Sequence, residues 1–138
     1  MKEIEIVADA GKLYELQAFF DEELEKIGCP PELILELDMV AEEIFVNIAS
    51  YAYPEENAEK YARAVFDYDD ETRTVLLRFY DRGRPYDPLS GKMPDLTLPA
   101  EERPIGGLGV YLVKEYMDGV RYEYRDGYNV LTAEKKLP

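Results

Sequence analysis

Histidine is absent from the 138 residues, which removes the commonest proton carrier at neutral pH and the usual zinc ligand. Ser–His–Asp chemistry and any phosphohistidine relay within the chain are excluded with it. Basic residues are scarce. Sixteen Lys and Arg stand against 30 Asp and Glu, a formal net charge of −14, so a broad nucleic-acid surface is not expected and a positively charged partner surface is favoured. A lone Cys29 cannot close an internal disulfide, and Met1-Lys2-Glu3-Ile4-Glu5 lacks the apolar core of a signal peptide; both point to the cytoplasm. No stretch approaches the roughly eighteen consecutive apolar residues of a membrane-crossing helix. Repeats, low-complexity tracts and linkers are also missing. At 46% hydrophobic residues the length suits one domain spanning residues 1–138 and is short for two.

What is present is periodic. Residues 2–8 alternate polar and apolar as an edge or half-buried strand. Asp9 then suits a helix cap, followed by Leu13, Leu16, Phe20, Leu24 and Ile27 at helical spacing until Gly28 and Pro30. A second helix begins near Pro31, carries Leu33, Leu37, Val40, Ile44 and Ile48 on one stripe, and runs to about Tyr51 before Pro54. From Tyr61 to Asp81 the period changes to two: Ala62, Ala64, Phe66 and Tyr68, a turn at Asp69-Asp70-Glu71, then Val75, Leu77 and Phe79. A long aperiodic segment from Arg82 to Ile105 reads as a functional lid, with residues 87–103 ordering on ligand binding. A helix from Gly107 to Met117 follows, then a hairpin of Val120–Tyr124 and Val130–Lys135 turning at Asp126-Gly127. The order β-α-α-β-β-α-β-β predicts an α+β two-layer sandwich, a mixed and mostly antiparallel sheet with helices on one face.

Three segments carry candidate chemistry. Glu43 and Asn47 lie four residues apart on one helix face, and Asn47 falls about 20° from Val40, inside the apolar stripe. Unpaired burial there would cost roughly 1–3 kcal/mol each. Either neighbouring backbone satisfies them, or they serve as a general base and a Mg²⁺ ligand. Asp81 ends a strand before Gly83 and Pro85; alone it reads as a turn former, or as an acceptor for a base's amino group. Gly107-Leu108-Gly109 opens a helix, either for close packing or so that backbone N–H groups can close on phosphates. The segments match neither the strand-linked G-x-G-x-x-G nor the Walker pattern with its Lys.

The ordered set, with lid-like sequence between the last two, resembles the GHKL (Bergerat-fold) ATPase superfamily of gyrase, histidine kinase and mismatch-repair ATPases, most closely its small anti-sigma-factor serine/threonine kinases. The matching boxes are Glu43-Ile44-Phe45-Val46-Asn47, Asp81 to Pro88, and Gly107 to Val113, with Asn129-Val130-Leu131-Thr132 on the closing strand. The resemblance covers essentially the whole chain. It implies a histidine-kinase-like ATPase fold that binds ATP with Mg²⁺. Asp81 would receive the adenine amino group, with Thr132 supporting that contact through water, and Gly83 would let the backbone approach the base. Asn47 would ligate Mg²⁺ and Glu43 act as general base, while Gly107, Leu108 and Gly109 hold the phosphates. The implied activity is transfer of the γ-phosphoryl to a serine or threonine of a small anti-anti-sigma-like antagonist, with a sigma factor as a further candidate partner. A nucleotide-gated binding module or a simple ATPase is the alternative. The first strand and exposed tyrosines could serve a homodimer. Tyr51 stands where the small kinases often carry His, and Arg103 is offset from the family's phosphate-contacting arginine.

Overall fold

The computed structural model describes residues 1–55, 59–89 and 107–138, with residues 107–110 described by backbone alone. β1 (Lys2–Val7) leads through a 3₁₀ turn, Ala10–Lys12, into α1 (Leu13–Lys26). Asp9 caps that turn, its Oδ1 accepting the Gly11 N–H at 2.8 Å. Gly28 ends α1 at φ 76°, the left-handed conformation that closes a helix without a Cβ penalty. α2 (Pro31–Asn47) starts with proline in its first turn, where the missing N–H costs nothing. It continues directly into a π-helical turn, Ile48–Ala52, so the helical path reaches Tyr51 as the periodicity predicts, with a widened final turn.

β2 (Tyr61–Asp69) and β3 (Thr74–Asp81) form the first hairpin, and β4 (Gly119–Arg125) and β5 (Tyr128–Lys136) the second, with α3 (Gly107–Tyr116) between them. The second hairpin turns on Asp126 (φ 56°) and Gly127 (φ 85°), the paired positive φ that two-residue hairpins need and that Asp-Gly supplies. The strands form one five-stranded sheet in the order β1-β2-β3-β5-β4. Each of these pairings is antiparallel.

Period-two alternation sends one set of side chains to the helices: Ala62, Ala64 and Phe66 of β2, Val75, Leu77 and Phe79 of β3, and Ala133 of β5. They pack with Leu16, Phe20 and Leu24 of α1, Leu37, Val40, Ile44 and Phe45 of α2, and Val113 of α3. Phe20 meets Phe79 edge to face at 5.7 Å between centroids. α2 packs between α1 and α3. The larger part of the expected lid, with Arg103, lies outside the described residues.

Candidate functional site

Asp81 is the last residue of β3, and Asn129 faces it directly across the β3–β5 ladder. Directly opposed residues share a face, here the helix-covered one. Both are 7% exposed. Asp81 Oδ1 accepts two donors, the Gly83 N–H at 2.9 Å and Asn129 Nδ2 at 2.8 Å. Oδ2 takes no hydrogen bond among the described residues. Burial pushes the Asp81 carboxyl above its ordinary range, while the hydrogen bonds from Asn129 and Gly83 pull it back.

Asn129 does more than meet one carboxylate. Its Nδ2 also lies 3.3 Å from the Gly83 carbonyl and 3.0 Å from that of Arg84, and its Oδ1 accepts from the Tyr86 N–H and the Tyr122 hydroxyl. Asn129 thereby ties β4, β5 and the segment after β3 into one network. Sequence reasoning placed Asn129 on the closing strand but gave it no role, because the resemblance assigned the supporting part to Thr132. Its register opposite Asp81 was the missing signal.

Gly83 is glycine for a packing reason visible here. A Cβ at this position would sit 2.4 Å from the Ala52 carbonyl oxygen and 2.8 Å from the Ala52 Cβ. The π-helical turn thus presses against the chain leaving β3. Tyr53, just beyond that turn, holds the contact: its hydroxyl accepts the Arg82 N–H at 2.7 Å and donates to the Tyr61 carbonyl. An open pocket of about 350 Å³ lies alongside, lined by Ala52, Tyr53, Glu55, Glu59, Arg82 and Arg84 among others.

Glu43 and Asn47 are both half-buried on α2. Asp38, whose carbonyl accepts from Gln17 of α1 at 3.2 Å, marks the α1 flank of the helix. Asn47 is nine residues on, about 180° around, which turns it and its neighbour Glu43 toward the α3 flank. Burial, reinforced by Glu42, pushes Glu43 above the ordinary carboxylate range. The Asn47 amide makes no side-chain hydrogen bond among the described residues. Its carbonyl oxygen and Asp81 Oδ2 are therefore unclaimed acceptors, the oxygen types that suit a hard cation and a base's amino group. Gly107, Leu108 and Gly109 form the first turn of α3, whose leading N–H groups have no intrahelical acceptor.

Thr132 is not brought to this site. It pairs with Arg78, and its Oγ1 accepts Arg78 Nε at 3.1 Å. Three residues separate it from Asn129, so strand alternation puts it on the opposite, helix-free face of the sheet. Support of Asp81 by Thr132 is corrected accordingly: the motif aligned along the chain, but the β3–β5 register turns that hydroxyl away. The helix-free face carries a stacked set of guanidinium and phenol groups, with Arg63 over Tyr80 and Arg82 over Tyr61, each at 4.0 Å to the ring centroid.

A five-stranded antiparallel sheet covered on one face by helices defines a two-layer α+β class of protein. Residues 6–135 match the family described as histidine kinase-like ATPase domain, and this chain belongs to it. It is 31% identical over 96 residues to the serine/threonine-protein kinase BtrW of Bordetella bronchiseptica, covering 70% of this chain and 66% of that relative, just under two thirds of its length. Among solved structures, the RsbU and RsbW domains of Rv1364c from Mycobacterium tuberculosis superpose with a TM-score of 0.67 at 16% identity, over 99% of this chain and 33% of that one. The SiaB–SiaC complex from Pseudomonas aeruginosa gives 0.61 at 13% identity, over 98% and 89%. These structural likenesses show the fold. No helix among the described residues is long and apolar enough to cross a membrane.

Proposed function

We propose that this chain is a cytoplasmic Mg·ATP-dependent serine/threonine protein kinase of the anti-sigma-factor type, acting on a small antagonist protein. The observation that carries the reading is Asp81: a buried carboxylate with one oxygen held by two N–H donors and the other unclaimed among the described residues, an acceptor that suits an amino group. Asn47 would offer its carbonyl oxygen to Mg²⁺, which when bound neutralises phosphate charge. The leading N–H groups of α3 at Gly107, Leu108 and Gly109 would face phosphate oxygens. Glu43, whose carboxyl burial pushes above the ordinary carboxylate range, would accept the proton of the attacking hydroxyl when ionised. The hydroxyl oxygen bonds to the γ-phosphorus, the bond to the β-phosphate oxygen breaks, and ADP leaves. The similarity to a named serine/threonine kinase and to a solved two-protein complex supports a protein as acceptor. A sigma factor and a second copy of the chain are further candidate partners.

Incubation with γ-labelled ATP, alone and with small antagonist-type proteins from the same cell, tests this. Label on a partner serine or threonine is expected. Release of label only as free phosphate would make the chain an ATPase, and nucleotide binding with no turnover would make it a nucleotide-gated module.

A further inference from the structure

We propose that Asn129 is the positioning residue of the base site, fixing Asp81 as a pure hydrogen-bond acceptor so that a 6-amino purine is taken and a 6-oxo purine refused. This rests on the nucleotide reading above and assigns to Asn129 the support that its ladder position, rather than that of Thr132, can give.

Donors and acceptors separate to opposite sides of the Asn129 amide. On its nitrogen side Asn129 meets only acceptors, the Asp81 carboxylate at 2.8 Å and the carbonyls of Gly83 and Arg84. On its oxygen side it meets only donors, the Tyr86 N–H at 3.2 Å and the Tyr122 hydroxyl. This partition fixes the amide in one orientation. An ionised carboxylate has no hydrogen to donate, and a hydroxyl has a single one where the amide has two. With Oδ1 occupied by Asn129 and Gly83, only Oδ2 remains for a ligand. An ionised Oδ2 attracts an amino N–H and repels the carbonyl oxygen of guanine; a protonated one could donate to that oxygen, and discrimination would collapse.

Burial favours the protonated form, and the hydrogen bonds from Asn129 and Gly83 oppose it. Among the described residues, the titratable side chains that interact with Asp81 include the phenols of Tyr53, beyond the π-helical turn, and Tyr122 of β4, both raised by burial. They carry no charge at neutral pH. The Arg82 guanidinium turns away to Tyr61 and Tyr128. The Asn129 amide is therefore the side-chain group among the described residues whose hydrogen bond favours the ionised carboxylate.

The test is equilibrium titration of the full chain with ATP and GTP between about pH 5.5 and 8.5, for wild type, N129D, N129L and Y122F, with thermal melts to confirm folding. Loss of a hydrogen bond to a charged group predicts a roughly ten- to hundredfold fall in the ATP:GTP affinity ratio for N129D and N129L. ATP binding by these variants should weaken on acidification at a higher pH than in wild type. Y122F keeps the Asn129 amide and loses the hydroxyl that donates to its Oδ1 and accepts the Tyr86 N–H; the Tyr86 N–H still reaches Asn129 Oδ1, so the variant should fold and show a smaller fall in the ratio. If wild type prefers ATP and D81N abolishes that preference, while folded N129L and Y122F keep the wild-type ratio and pH profile, Asn129 is only a structural residue and the proposal is overturned. Wild type binding neither nucleotide would instead overturn the nucleotide reading itself.

Discussion

The interface between α1 and α2 holds two carboxyls, Asp21 and Asp38, each with a buried Oδ1 that has no hydrogen-bond partner among the described residues. Burial first, then the hydrogen bond and charge of Asp21, push Asp38 up to about 8. An unfolded Asp titrates near 3.8. Between these two values the unfolded chain has lost its Asp38 proton while the folded chain keeps it. Unfolding therefore releases a proton, and each rise in pH favours the unfolded chain. A full one-proton difference is worth about 1.4 kcal/mol per pH unit. Both residues are only half-buried, and solvent screening reduces this to about 1–2 kcal/mol in total between roughly pH 5 and pH 7. Asp38→Asn keeps the donor that the protonated acid supplies and removes the titration. It should flatten the slope and exceed wild type in stability at about pH 8. Glu43 and Asp81, also raised, add a slope of the same sign in both proteins, so the difference between the two curves isolates Asp38. Urea denaturation at half-unit pH steps reads it. Stability of the wild type that rises from pH 5 to 8, or an Asp38→Asn curve parallel to it, would refute the raised Asp38 carboxyl.

Glu43→Ala should leave nucleotide affinity within about twofold, because a base on the attacking hydroxyl contributes little to ground-state binding, yet abolish phosphoryl transfer; loss of binding would reassign Glu43 to the nucleotide. Asn47→Ala should remove the Mg²⁺-dependent part of ATP affinity, and a wild type indifferent to Mg²⁺ would end that role. Gly83→Ala must push its Cβ out of the Ala52 carbonyl, 2.4 Å away, and should cost about 1–3 kcal/mol in chemical denaturation. An unchanged midpoint would mean that the turn after α2 yields freely.

Much of the fold was legible because local signals and global packing agree. The stripe of Leu16, Phe20 and Leu24, the alternation through Val75, Leu77 and Phe79, and the Asp126-Gly127 turn each state their partner face before any contact is known. The position of Asp81 was legible too, as the carboxylate that ends a strand before Gly83 and Pro85. Features created by pairing were not. Thr132 follows the apolar pair Val130-Leu131 in a motif that aligns well, yet one ladder register decides which face its hydroxyl takes. Asn129 gains its role from the same register. The π-helical turn after Asn47 leaves no mark on a 3.6-residue stripe, since Ile48 is buried under either geometry. Asp21 and Asp38 lie seventeen residues apart, and only the packing of α1 on α2 brings them together.

The most direct test of the account is calorimetric titration of Mg·ATP into wild type and Asp81→Asn. The substitution keeps shape and volume but replaces an acceptor-only carboxylate with a group that can present a donor to the base. Micromolar-range binding by wild type, tighter for ATP than GTP and weakened roughly a hundredfold or more by the substitution, is the predicted result. Equal ATP affinity in the two proteins would contradict it and remove Asp81 from the base site.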